Sequence, residues 1–118
     1  MTLTILQWNA QSLLAHSKEF KKDISSWKIK PDILCIQETW LNDQRLFNLP
    51  GYDIYRHDRK TTDKKRGGGC AILIKRGIGF KYINTSDTNC PIEYQIGELY
   101  DEKRNRLNLI NLYNPCLK

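Results

Sequence analysis

Pro31-Asp32-Ile33-Leu34-Cys35-Ile36-Gln37-Glu38 is an apolar run that stops on a carboxylate, and Thr39-Trp40-Leu41 follow at once. A buried charge is costly unless it is paired or bound to a metal. A hydrophobic strand that delivers a glutamate therefore marks its own end as a place where something is held. Thr2-Leu3-Thr4-Ile5-Leu6-Gln7-Trp8 delivers Asn9 in the same way, and Leu107-Asn108-Leu109-Ile110-Asn111-Leu112 ends on Tyr113-Asn114-Pro115. Ligands in α/β sheets gather at strand ends. Asn9, Glu38 and Tyr113 are thus expected to form one polar site on a sheet.

Working outward, Leu13, Leu14, Phe20, Ile24 and Trp27 have helical spacing, with Lys18, Glu19, Lys21, Lys22 and Asp23 between them. This predicts an amphipathic helix over about 13–28, ended before Pro31. A buried strand over 2–8, this helix and the strand from Pro31 make a strand–helix–strand unit, which favours parallel pairing. Short strands are expected at Tyr52–Asp58, Cys70–Lys75, Phe80–Ile83, Ile92–Tyr100 and Leu107–Tyr113, antiparallel where tight turns join them. The fold class is α/β, a mixed β-sheet with a flanking helix. A single good helix leaves such a sheet short of cover, so further elements are expected beyond residue 118.

At 118 residues, 40% of them hydrophobic and three of them Trp, the chain is one domain at most and large enough for a core. Its apolar runs are only a few residues long, far below the roughly 18–20 that cross a bilayer. The N-terminal segment lacks the charged and apolar regions of a secretion signal. Cys35, Cys70, Cys90 and Cys116 show no CxxC spacing. Free thiols and an intracellular setting, nuclear or cytoplasmic and not secreted, are expected.

Glu38 is the strongest candidate for chemistry. Mg²⁺ is held by one or two carboxylates together with water and substrate phosphate, and Glu38 with Asn9 on the neighbouring strand suits that pattern. A surface glutamate capping its strand is the alternative from position alone. Tyr113 is placed to orient a phosphate or to support a developing charge. It equally suits an aromatic that closes the strand. Gly67-Gly68-Gly69 precedes no helix, so a flexible turn is expected there, not a phosphate cradle. His16 and His57 read as surface residues. The net charge is +6, and Arg56, Arg59, Lys60, Lys64, Lys65 and Arg66 face only Asp58 and Asp63. Such clustering suits a polyanion partner, or a solvated loop kept soluble by its charge.

These segments together resemble the N-terminal half of the exonuclease–endonuclease–phosphatase superfamily. The likeness is greatest to the apurinic-type endonuclease domain of non-LTR (LINE-like, jockey-type) retrotransposons. It is carried by Ile5-Leu6-Gln7-Trp8-Asn9-Ala10-Gln11-Ser12, by Pro31 to Leu41, by Tyr55-Arg56-His57-Asp58-Arg59, by Gly67 to Ile74 and by Leu109 to Pro115. The resemblance implies a four-layer α/β sandwich, of which residues 1–118 would be the N-terminal part, truncated at about half. It implies cleavage of DNA phosphodiester bonds with Mg²⁺ (or Mn²⁺), Glu38 as metal ligand, Asn9 as a polar partner in the metal and phosphate site, and Tyr113 on the scissile phosphate. Arg56, Arg59, Lys60, Lys64, Lys65 and Arg66 would bind the nucleic acid, and a reverse-transcriptase domain would follow in the same polyprotein. The family's later Asp-x-Asn and Asp-His pairs do not occur in residues 114–118. The chain alone is therefore expected to be inactive. A repair nuclease, a phosphatase, or a non-catalytic nucleic-acid-binding relic are the alternatives.

Overall fold

A computed structural model describes residues 2–59, 67–87 and 90–115. The described elements are β1 (Ile5–Asn9), a 3₁₀ turn (Leu14–His16), α1 (Ser17–Ser26), β2 (Ile33–Gln37), β3 (Tyr52–His57), β4 (Cys70–Lys75), β5 (Gly79–Thr85), β6 (Glu93–Tyr100) and β7 (Arg106–Tyr113). They form a four-stranded sheet in the order β1-β2-β4-β3 and a three-stranded sheet in the order β5-β6-β7. β1 and β2 pair in parallel, as a strand–helix–strand unit favours, and the other pairings are antiparallel. The α/β class expected from the sequence is the observed one.

Alternation along β2 and β4 divides the core in two. Leu34, Ile36, Ala71 and Leu73 face a cluster with Phe20 and Ile24 of α1 and with Leu41, Phe47 and Leu49 from the following loop. Ile33, Cys35, Ile72 and Ile74 face the other way and pack on Leu99 of β6 and Leu109 of β7. The helix and loop layer, the first sheet and the second sheet therefore stack in that order. Trp8 stacks on Phe20 with ring centroids 4.7 Å apart, which seats α1 beside β1. Lys30 Nζ donates to the Ile24 and Trp27 carbonyls at 2.5 and 2.9 Å, satisfying acceptors that the end of α1 leaves free.

Two expectations need correction. β1 is not a buried strand: among the described residues it pairs only with β2, and Ile5, Gln7 and Asn9 are exposed because the second sheet packs over β2 and β4 instead. His57 is not a free surface residue either, since its Nε2 lies 3.0 Å from Ser86 Oγ, which ties β3 to the end of β5.

Hydrogen bonds between amide side chains join the two sheets. Asn111 of β7, 1% exposed, meets Gln37 of β2 and Gln95 of β6, and Gln95 Nε2 continues to the Tyr55 carbonyl and the Tyr82 hydroxyl. A fully satisfied buried network of this kind fixes one arrangement.

Cys35 and Cys70 are buried and unpaired. Desolvation pushes their thiols up, to about 11 and about 12. The thiolate is the reactive form. Iodoacetamide at neutral pH should therefore leave both unmodified in the folded chain and label both in denaturant, as read by peptide mass mapping. Labelling of Cys35 at the same rate in both conditions would contradict this core.

Candidate active site

The site forms where β2 runs out. Through Gln37 the strand is buried on both faces, and the chain then turns left-handed at Glu38 (φ 52°) and again at Trp40 (φ 55°). Non-glycine residues avoid this region, at a cost of order 1–3 kcal/mol each, and such strain collects at functional sites. Backbone hydrogen bonds on both sides hold it in place. Ser12 N–H donates to the Glu38 carbonyl at 3.0 Å and Leu13 N–H to the Thr39 carbonyl at 3.0 Å. From the other side, Thr39 N–H donates to the Gly69 carbonyl at 3.2 Å and Trp40 N–H to the Gly68 carbonyl at 3.0 Å. The glycine loop is therefore a fixed extension of β4, not the free turn expected from its composition.

Asn9 ends β1 in register with Gln37, one residue before Glu38. Tyr113 belongs to the second sheet, so the three strand ends converge from two sheets and not from one. Glu38 is the neighbouring charge that acts most strongly on the Tyr113 phenol. Burial first, and then the Glu38 carboxylate, push the phenol up to about 12, so it keeps its proton at neutral pH.

Arg59 and Glu93 complete this neighbourhood, and neither was legible as a site residue of this kind. Glu93 pairs with Tyr113 across β6 and β7. Its carboxylate accepts from Arg59 at 2.5 Å and from Gly69 N–H at 3.0 Å. Arg59 crosses the glycine loop so closely that a Cβ at Gly68 would fall 2.1 Å from its Nε. Arg56, in turn, binds Asp58 at 2.6 Å and the Asn42 carbonyl at 2.9 Å. Both described cations of the basic stretch are thus already engaged within the chain. Lys60, Lys64, Lys65 and Arg66 lie outside the described residues.

A cleft of about 420 Å³ opens between β1 and α1, with Asn9, Trp8, Phe20, His16 and Trp27 in its wall. Glu38 and Tyr113 do not line it. The chemistry-bearing groups are gathered at the strand ends, and we place the candidate site there. No group of three or more His, Cys, Asp or Glu side chains at metal-binding spacing occurs among the described residues. The oxygen donors available are the Glu38 carboxylate and the Asn9 side-chain amide. They suit a hard cation that keeps most of its ligands as water and substrate.

Residues 6–113 match the model of the Endonuclease/Exonuclease/phosphatase family. The fold is also that of solved structures. The catalytic domain of Xenopus laevis APE2 superposes with a TM-score of 0.65 at 18% identity, covering 97% of this chain and 46% of that one. A Neisseria 3′ phosphatase, NExo, solved with a product DNA hairpin, gives 0.58 at 19% identity over 95% of this chain and 41% of that one. The 3′-5′ exonuclease NExo of Neisseria meningitidis gives 0.54 at 20% identity, over 92% and 40%. The chain thus spans less than half the length of these structures. No curated protein matches it by sequence.

Two glycines test how firmly the loop is held. Gly51 and Gly69 share a φ of 88°, but a Cβ at Gly51 meets nothing within 4 Å, whereas one at Gly69 falls 2.6 Å from Thr39 Oγ1. Gly51→Ala should cost only the backbone strain, about 1 kcal/mol. Gly69→Ala should cost clearly more, because Thr39 is buried at 1% exposure and has little room to yield. Thermal unfolding of the two variants decides, and equal losses would mean that the loop moves freely.

Proposed function

The chain belongs to the endonuclease/exonuclease/phosphatase family, and on that premise we propose that it is part of a divalent-cation-dependent nuclease that cleaves DNA phosphodiester bonds. The observation that carries this reading is the placement of Glu38 on a hydrogen-bonded turn at the end of β2, one register position beyond Asn9, in a chain matched by the family over residues 6–113. Glu38 would hold Mg²⁺ or Mn²⁺, with the Asn9 amide oxygen beside it. When bound, such a cation neutralises phosphate charge and favours attack at phosphorus. The chain's own residues do the positioning. Glu38 supplies a negative charge on a strained turn, and Tyr113 supplies beside it one neutral O–H that a phosphate oxygen would take up in place of Glu38. The Neisseria structure solved with a DNA hairpin supports DNA as the polyanion.

The segment Gln37-Glu38-Thr39-Trp40-Leu41, with Trp8-Asn9 upstream, supports a more specific placement. In it the domain is the endonuclease of a non-LTR retrotransposon, nicking DNA to prime reverse transcription by a polymerase domain of the same polyprotein. On this reading the groups that activate water and protonate the leaving group come from outside these residues, and the chain by itself binds DNA without cutting it. The sequence frame that follows Lys118 discriminates this placement from a repair nuclease.

Glu38→Gln is nearly isosteric but carries no charge to hold the cation. In the complete polyprotein it should abolish Mg²⁺-dependent nicking of supercoiled plasmid while the unfolding midpoint stays close to that of the parent. Nicking at the parent rate with the same Mg²⁺ dependence would remove Glu38 from the metal site.

With Arg56 and Arg59 paired internally, DNA binding by the basic stretch falls to Lys60, Lys64, Lys65 and Arg66. Replacing Lys60, Lys64 and Lys65 by Ala should weaken binding to unrelated duplexes alike. It should also make the slope of log K against log salt shallower, by up to roughly 0.9 for each phosphate no longer neutralised. An unchanged slope with unchanged affinity returns the stretch to a solubilising role.

A further inference from the structure

The pattern of β7 does not choose its own register. Leu107, Leu109, Asn111 and Tyr113 lie on one face, and Arg106, Asn108, Ile110 and Leu112 on the other, so each face offers two large aliphatic side chains. In the fold Ile110 and Leu112 remain 58% and 54% exposed while Asn111 is buried. Hydrophobicity alone would not decide this. A slip of one residue would exchange the faces and carry Tyr113 away from Glu38.

Asn111 breaks the tie. Its Oδ1 accepts from Gln37 Nε2 at 2.6 Å. Its Nδ2 reaches the Ile36 and Ala71 carbonyls, both at 3.1 Å, and Gln95 Oε1 at 3.0 Å. Three of these partners belong to β2 and β4 of the facing sheet. Two of them, Ile36 and Gln37, directly precede Glu38. Only a side chain with a donor and an acceptor on one planar group makes this set, and losing it would leave buried amides unpaired.

We infer that Asn111 is a positioning residue that locks β7 onto the end of β2 and thereby sets where Tyr113 stands relative to Glu38. Its value for catalysis rests on the nuclease reading above, but the placement itself is measurable without metal, DNA or turnover. Asn111 acts through Tyr113, two residues along the same face, and through Gln37, next to Glu38. The device is a buried amide that selects one register among several of similar hydrophobic content.

The test uses the chain labelled with 3-fluorotyrosine, with the Tyr113 ¹⁹F signal assigned by its loss in Tyr113→Phe. Glu38→Gln should shift that signal in the parent chain. In Asn111→Leu the same Glu38→Gln change should leave it unmoved. Leu99→Ala is the control, since it removes a fully buried side chain from the same interface without touching the amides. There the response should persist despite lost stability. Should Asn111→Leu fail to fold, Gln37→Met, which removes the donor to Asn111 Oδ1, takes its place, and its signal should likewise stay unmoved by Glu38→Gln. A Tyr113 signal that responds to Glu38→Gln equally with and without the amide would overturn the inference, as would a parent signal that does not respond at all. Loss of Mg²⁺ binding or of nicking would bear on the nuclease reading instead and would leave this result unchanged.

Discussion

β2 must bury both of its faces and then bring a carboxylate to the surface within one residue. Ile33 to Gln37 are all buried, and a continued extended chain would carry Glu38 into the same interior. The left-handed turn at Glu38 resolves that conflict, and the hydrogen bonds from Ser12 and Leu13, with those the turn donates to the glycine loop, keep it resolved. The glycine loop is needed for this because only residues without a Cβ can approach Thr39 and Arg59 so closely. The parallel pairing of β1 and β2 brings their C-terminal ends side by side, with Asn9 in register with Gln37 and one position from Glu38.

Charge is organised around the same point. Glu93 lies beside Tyr113 and would add a second negative charge near Glu38, but Arg59 and the Gly69 N–H take up both of its oxygens. Arg59 therefore acts first as an internal counter-ion that pins the glycine loop and only secondarily as part of a basic surface. Burial, supported by Glu38 and opposed by Arg59, prevails at Tyr113 and leaves the phenol protonated.

The two sheets meet through mixed chemistry. Leu99 and Leu109 supply apolar area against Ile33, Ile72 and Ile74, while Gln37, Gln95 and Asn111 supply direction. Apolar contact tolerates sliding, and hydrogen-bonded amides in a low-dielectric interior do not. A site built from two sheets needs the second property, because its geometry is only as well defined as the register between them.

The sequence by itself determined the α/β class, the parallel β1–α1–β2 unit, the approximate position of each strand, and Glu38, Asn9 and Tyr113 as residues standing at strand ends. Those features are local: periodicity, breakers and the polar residue that ends an apolar run can be read along one chain. Tertiary structure alone decided that β1 is an edge strand, that Tyr113 arrives from a second sheet, that Arg56 and Arg59 are internally paired, and that the glycine loop is fixed. Gln37, Gln95 and Asn111 carried a faint signal as polar residues in phase with buried positions, but their meaning depends on partners up to 75 residues away. Side-chain pairing across a sheet interface is set by which faces meet. Nothing in the spacing along a single strand encodes that.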